Sequence, residues 1–238
     1  MKKQLKLDIN KFFGFHWSDL FWLDFEIDNA FDALLKLNEN QEMTLNETEE
    51  NLKSAVKQKE EDFKELQLQD RESYINQLFY IDEQIILELK RLQRYSIVIS
   101  AYAIFESKLK KLCESIEKQF DFKVKIDDLN SSDGDIKKLW LFLVKVYEID
   151  HLESESKLTY INQNKFVRNI VTHHDGVCKA VLVKKIPKLK LLDVEDFGDD
   201  KRIFIQNGYV QDLIERMKNF NNLLLEVIDK RYTQLSGN

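Results

Sequence analysis

Apolar side chains recur along most of this chain at steps of three and four residues, the spacing that lines one side of an α-helix. The clearest run is Ile97, Ala101, Ile104, Phe105, Leu109, Leu112 and Ile116, which predicts an amphipathic core helix ending near Phe120-Asp121. A second face, Leu139, Trp140, Leu143, Val146 and Tyr147, predicts a helix over 136–147, with Ser132-x-x-Asp135 as its cap. After a polar link at 148–156 a third helix is expected near Leu158–His174, ended by Asp175-Gly176, where glycine is free to take positive φ. Asn207-Gly208 opens a last helix whose face is Val210, Leu213, Ile214, Met217, Phe220, Leu224, Val227 and Ile228.

Upstream the pattern changes twice. The stretch 12–37 is rich in aromatics: Phe12, Phe13, Phe15, Trp17, Phe21, Trp22, Phe25 and Phe31. Packing into the chain's own core is the favoured expectation, with a partner or dimer surface as the alternative. From Thr44 to about Glu72 the chain turns polar. Thr44-x-x-Glu47 reads as a capping box, and the thin row Leu52, Val56, Phe63 and Leu66 predicts a solvated helix with a narrow buried stripe. Two apolar runs, at 180–186 and 203–206, flank the turn-rich stretch 193–201 and predict a short β-hairpin before the last helix.

Composition strengthens the helical reading. The only proline is Pro187, and no glycine or proline stands between Gly14 and Gly134, a stretch that few non-helical folds tolerate. With 43% apolar residues in 238, there is enough to bury a sizeable core. Cys113 and Cys178 make no disulfide framework and are expected to act as small hydrophobes in a reducing cytoplasm. Met1 to Lys6 is basic, but no apolar h-region or small-residue cleavage site follows, so no secretory signal is expected. No run of about 18 apolar residues is present, so nothing is expected to span a membrane. The formal net charge of −6 weighs against a protein that coats nucleic acid non-specifically, though it leaves room for a local basic patch.

The chemistry-bearing segment is 165–176. On a helix, Asn169 and His173 share a face, and Arg168 is one step round, about 100° away. Arginine offers a permanently charged planar fork that matches a phosphate and stabilises charge building on it. Histidine exchanges a proton near neutral pH. Asparagine can orient the base, the phosphate or the imidazole through its amide. Against RNA, whose 2′-hydroxyl is an internal nucleophile, this set needs neither metal nor covalent intermediate. Ordinary roles compete with each residue. Arg168 could be a surface ion-pair partner, and His173 a helix C-terminal cap that suits the dipole. His174 is a second candidate acid/base, though capping is its favoured role. Glu106 is read as a core-edge acid that pairs a nearby arginine; paired with Arg168, it would orient that fork. Lys165 and the basic run Lys179, Lys184, Lys185, Lys188 and Lys190 could track an RNA backbone or simply form a solvated loop. No metal site and no glycine-rich nucleotide loop can be read.

The pattern Arg168-Asn169-x-x-x-His173, with its apolar flanks and the following Asp175-Gly176, resembles the HEPN superfamily. The stretch 95–114, with Tyr102 and Phe105-Glu106, is similar to the family's earlier core helix, and 136–147 to its middle helix. The likeness covers roughly 75–232. It implies a mainly all-α fold: a HEPN-like helical bundle at 75–238, with residues 1–74 as an N-terminal helical extension. It implies a homodimer that brings two motifs into one cleft, RNA as substrate, no cofactor, and metal-independent endoribonuclease activity. Such proteins serve in toxin–antitoxin, phage-defence or RNA-processing systems, which implies an antitoxin or defence partner. Other members have lost catalysis. The competing expectation is therefore an inactive HEPN-like interaction or scaffold module that binds a protein or nucleotide.

Overall fold

The computed structural model describes residues 14–131, 134–185 and 191–237, with Lys185 described for its backbone alone. Their fold is mainly helical, with 77% of the structure in helices and a small three-stranded sheet. In chain order the elements are α1 (Ser18–Asp62), α2 (Leu68–Gln119), a 3₁₀ turn (Ile126–Asp128), α3 (Asp135–Lys145), α4 (Leu152–His174), β1 (Val177–Lys179), a 3₁₀ helix (Ala180–Lys185), β2 (Leu192–Phe197), β3 (Asp200–Ile205) and α5 (Tyr209–Ser236). Among the described residues no helix is long and apolar enough to cross a membrane.

Two compact units interleave along the chain. One takes the chain up to Ala33, Ser100–Val167 and the chain from Asp212; the other takes Leu34–Ile99 and Arg168–Gln211. The division expected at residue 74 falls inside α2.

The first unit is a helical core. The run predicted as a core helix supplies it: Ala101, Phe105, Leu109, Leu112 and Ile116 are each at most 2% exposed, as is neighbouring Tyr102, while Ile104 is half-buried. The rings of Phe105 and Phe220 lie 5.6 Å apart, and Tyr102 Oη donates to the Ile161 carbonyl at 2.6 Å, so its buried hydroxyl is satisfied. The aromatic start of the chain joins this core in part. Trp17 and Phe31 are buried and Trp17 stacks on Tyr232, whereas Trp22 and Phe25 face solvent. Just ahead of α1, the buried carboxylate of Asp229 takes the backbone N–H of His16 and Trp17 at 2.8 and 2.9 Å. Phe12 and Phe13, and the Ser132 cap, lie outside the described residues.

The second unit begins with a long antiparallel pairing of α1 on α2. Its inner row on α1 mixes apolar Leu34 and Leu45 with polar Asn38 and Glu42, all at most 8% exposed. Arg94 meets Glu42 through two bonds of 2.7 and 2.8 Å, and Lys90 pairs with Glu49. The capping box expected at Thr44 is not there. Thr44 sits inside α1, and its hydroxyl donates back to the Asn40 carbonyl at 3.0 Å, so the Thr-x-x-Glu pattern caps nothing.

The sheet has the order β1-β3-β2, antiparallel throughout. The expected hairpin is present, with different strands. Its arms are β2 and β3, in register from Leu192↔Ile205 to Phe197↔Asp200, around a two-residue turn in which Gly198 takes φ +61°. The apolar run at 180 is a 3₁₀ helix instead, with Val181 exposed. Other bounds shift by a turn: α4 starts at Leu152 within the supposed polar link, and α3 ends at Lys145. Cys113 and Cys178 are buried and unbridged, and burial pushes both thiols above their usual range, so they sit as small apolar groups.

Candidate functional site

The last two turns of α4 carry the motif. Val167, Ile170 and Val171 are buried and fix which way the helix faces. Arg168 and Asn169 are then half-buried, while Thr172, His173 and His174 stand in solvent. Asn169 and His173 lie about 40° apart around the axis, and Arg168 about 140° from His173. The rings of His173 and His174 are 6.5 Å apart and edge-to-face. Arg168, Asn169, His173 and His174 all lie in the last two turns of α4, with Asn169 and His173 on one side and Arg168 turned toward another. That end carries the negative pole of the helix dipole, which opposes an anion.

The helix end is pinned. Asp175 and Gly176 both take positive φ, +51° and +77°, and the Gly176 amide donates to the Ile170 carbonyl at 3.2 Å. A Cβ on Gly176 would meet Tyr95 Oη at 2.0 Å, so only glycine lets that phenol pass. Tyr95 Oη donates to the carbonyl of Ile203, whose own amide donates to the Gly176 carbonyl at 2.9 Å. Burial raises the Tyr95 pKa, which keeps the phenol a neutral donor. Beside it, the side chain of Arg91 is 7% exposed and is shared between Glu88 and Asp175, with Nη1 at 2.5 Å from the Asp175 carboxylate. Glu88 holds the guanidinium above its ordinary pKa, and Arg91 in turn holds Glu88 below the usual carboxylate range. A buried guanidinium needs such partners, because desolvating it alone is costly.

Arg91 and Tyr95 were not among the residues the sequence pointed to. They stand one turn apart on α2 and reach the motif from more than eighty positions away, so the only sequence trace is two polar-tipped side chains in an apolar-patterned helix. Arg91 also lines a cavity of about 550 Å³ with Arg94, Arg202, Glu195, Phe204 and Gln206. The Arg202 guanidinium lies over the Phe197 ring at 3.8 Å.

The remaining expected residues spread out. Glu106 pairs with Lys165 at 3.4 Å, and Lys165 lines a cavity of about 390 Å³ with Lys137, Trp140 and Glu155. A lysine so partnered offers less charge to an RNA backbone than a free one. Lys179 on β1 and Lys184 on the 3₁₀ helix are exposed. The side chain of Lys185, and Lys188 and Lys190 entirely, lie outside the described residues. Among the described residues no group of three or more His, Cys, Asp or Glu is placed to hold a metal ion. No protein-family model, no curated protein and no solved structure matches this chain.

Proposed function

We propose that this chain is a metal-independent endoribonuclease of HEPN type, working as a homodimer in the cytoplasm within a toxin–antitoxin or phage-defence system. The observation that carries the reading is the triplet Arg168, Asn169 and His173 on a pinned helix end, with His173 open to solvent one turn beyond Asn169. His173 takes the proton of an RNA 2′-hydroxyl. The freed oxygen attacks the adjacent phosphorus, the bond from phosphorus to the 5′-oxygen breaks, and that oxygen leaves with a proton from an imidazolium. The products are a 2′,3′-cyclic phosphate and a 5′-hydroxyl. Arg168 binds the phosphate as charge builds on its oxygens, and Asn169 positions the reacting group. His174 and Glu106 are accessory candidates, and Lys165, Lys179, Lys184 and Lys185 contribute cations to the RNA path.

Purified protein incubated with total RNA in EDTA tests this. Cleavage by wild type that disappears in His173→Ala supports the reading, and equal fragmentation by both rejects it. An inactive interaction module is the second reading, favoured by the exposed apolar side chains along α2. Expression separates the two where the nuclease is active without a trigger: growth arrest relieved by Arg168→Ala belongs to a nuclease.

A further inference from the structure

Successive residues of β3 alternate between faces, so Arg202 and Phe204 share one side while Ile203 and Ile205 are buried on the other. The Arg202 side of the hairpin and the first half of α2 wall the cavity of about 550 Å³, the size of a small-molecule site. Its cations are not equivalent. Lys90 is taken by Glu49, Arg91 by Glu88 and Asp175, and Arg94 by Glu42 and the Ile205 carbonyl. Arg202 makes no hydrogen bond or ion pair among the described residues, and its Nε is buried without a partner. What holds this guanidinium is the Phe197 ring at 3.8 Å. A charged group that is partly desolvated and has unclaimed donors is costly to keep, and an anion would offset that cost.

The rest of the wall says what kind of anion. Phe204 from β3 and Leu87 from α2 give the cavity an apolar part. A water takes about 30 Å³ of liquid, so the space holds far more than an inorganic phosphate. A guanidinium fork suits a phosphate, and an aromatic face stacks any base. The acids set the limit. Glu195 stands opposite Arg202 in the strand register, with no ion pair between them. Lys90, Arg91, Arg94 and Arg202 face Glu88 and Glu195 on the wall, and Glu42, Glu49 and Asp175 as their partners. No surplus of positive charge remains to track a polyanion. The site has one unclaimed fork for one phosphate.

We propose that this cavity is a site for a free nucleoside monophosphate, with the Arg202 fork on the phosphate and the base against the Phe204 ring. It contains none of Arg168, Asn169 and His173, so it stands whether or not the chain cuts RNA. It touches the motif through Arg91, which lines the cavity and also holds Asp175 at the end of α4. Glu195 competes with the phosphate for Arg202, and its charge works against binding.

Equilibrium dialysis of the full chain against adenosine 5′-monophosphate, adenosine, inorganic phosphate and a short single-stranded oligoadenylate RNA tests the site. EDTA and the His173→Ala background keep the RNA whole in that arm. The monophosphate should bind at least about tenfold more tightly than adenosine or phosphate, since each of those offers only one of the two contacts. Arg202→Met should weaken it about tenfold or more, and Phe204→Leu about fivefold. Glu195→Gln should tighten it by roughly two- to fivefold. Glu195 is exposed, so that variant decides even where Arg202→Met melts early. No binding of the monophosphate at ~1 mM, a weak limit for a specific ligand, overturns the proposal. So does equal binding of phosphate or adenosine, or an affinity that neither Arg202→Met nor Glu195→Gln changes. RNA that binds more tightly than the monophosphate and is lost in Arg202→Met overturns the free nucleotide and makes the cavity part of the RNA path.

Discussion

Residues 74–99 and 101–116 belong to one continuous helix and carry apolar side chains at the same three- and four-residue steps. In the second stretch Phe105, Leu109, Leu112 and Ile116 are at most 1–2% exposed; in the first, Ile81 is 68% and Ile85 50% exposed. The inner face of the first stretch buries Ile75, Ile86, Ile97 and Val98 and adds polar pairs to α1, Arg94 with Glu42 and Lys90 with Glu49. Periodicity tells where a helix has an apolar face. What covers that face depends on partners that the helix's own sequence does not specify. The second half of α2 buries its apolar face in this chain's core, and the first half leaves an outer apolar face in solvent.

The largest test of this contrast is a pair of truncations. Phe105→Ala should lose about 3–5 kcal/mol, a large part of the ~5–15 kcal/mol that holds a typical domain folded. Ile81→Ala, measured by urea unfolding at concentrations where the chain is monomeric, should change stability by less than about 0.5 kcal/mol. Comparable losses in both would mean that the outer face is packed after all.

A middling effect is expected where the inner face of α2 meets the motif. Gly176→Ala places a methyl in the Tyr95 phenol and forces a non-glycine residue to φ +77°. It should cost about 2 kcal/mol or more. Combined with Tyr95→Leu it should cost less than the two single changes added together, because part of the damage is the clash they share. Strict additivity in denaturant titrations would show that the contact does not hold the helix end.

The smallest effect is a pH signature of the same corner. Arg91 holds Glu88 below the usual carboxylate range. That contribution is fully present above the unfolded pKa of ~4.3 and is lost as pH falls through the lower folded value. The melting gap between wild type and Glu88→Gln should therefore be widest near neutral pH and close in acid. A gap that persists at pH 2 would assign it to packing.

Much of this was legible in the sequence. Absence of glycine and proline between Gly14 and Gly134 announced long helices, and the 97–116 run marked the core helix because its own neighbours bury it. Asp175-Gly176 marked the end of α4, since few residues tolerate positive φ there. Thr44-x-x-Glu47 misled because a cap pattern has meaning only where a helix begins, and tertiary pairing carries α1 straight through it. The run at 180 looked like a strand by composition, but the partner of β3 is the acid-rich 192–197 segment, an edge strand whose side chains are mostly solvated. In the candidate site, Arg168, Asn169 and His173 were readable because they are local on one helix. The Arg91 and Tyr95 support was not, because only the fold brings α2 to the end of α4.

The account rests on a guanidinium and an imidazole acting on RNA through its 2′-hydroxyl, and the ends of the cut RNA report this directly. In EDTA, wild type should leave 2′,3′-cyclic phosphate and 5′-hydroxyl ends, with His173→Ala slower by on the order of a hundredfold or more. Ends bearing 5′-phosphate, or undiminished cutting by His173→Ala, would contradict it.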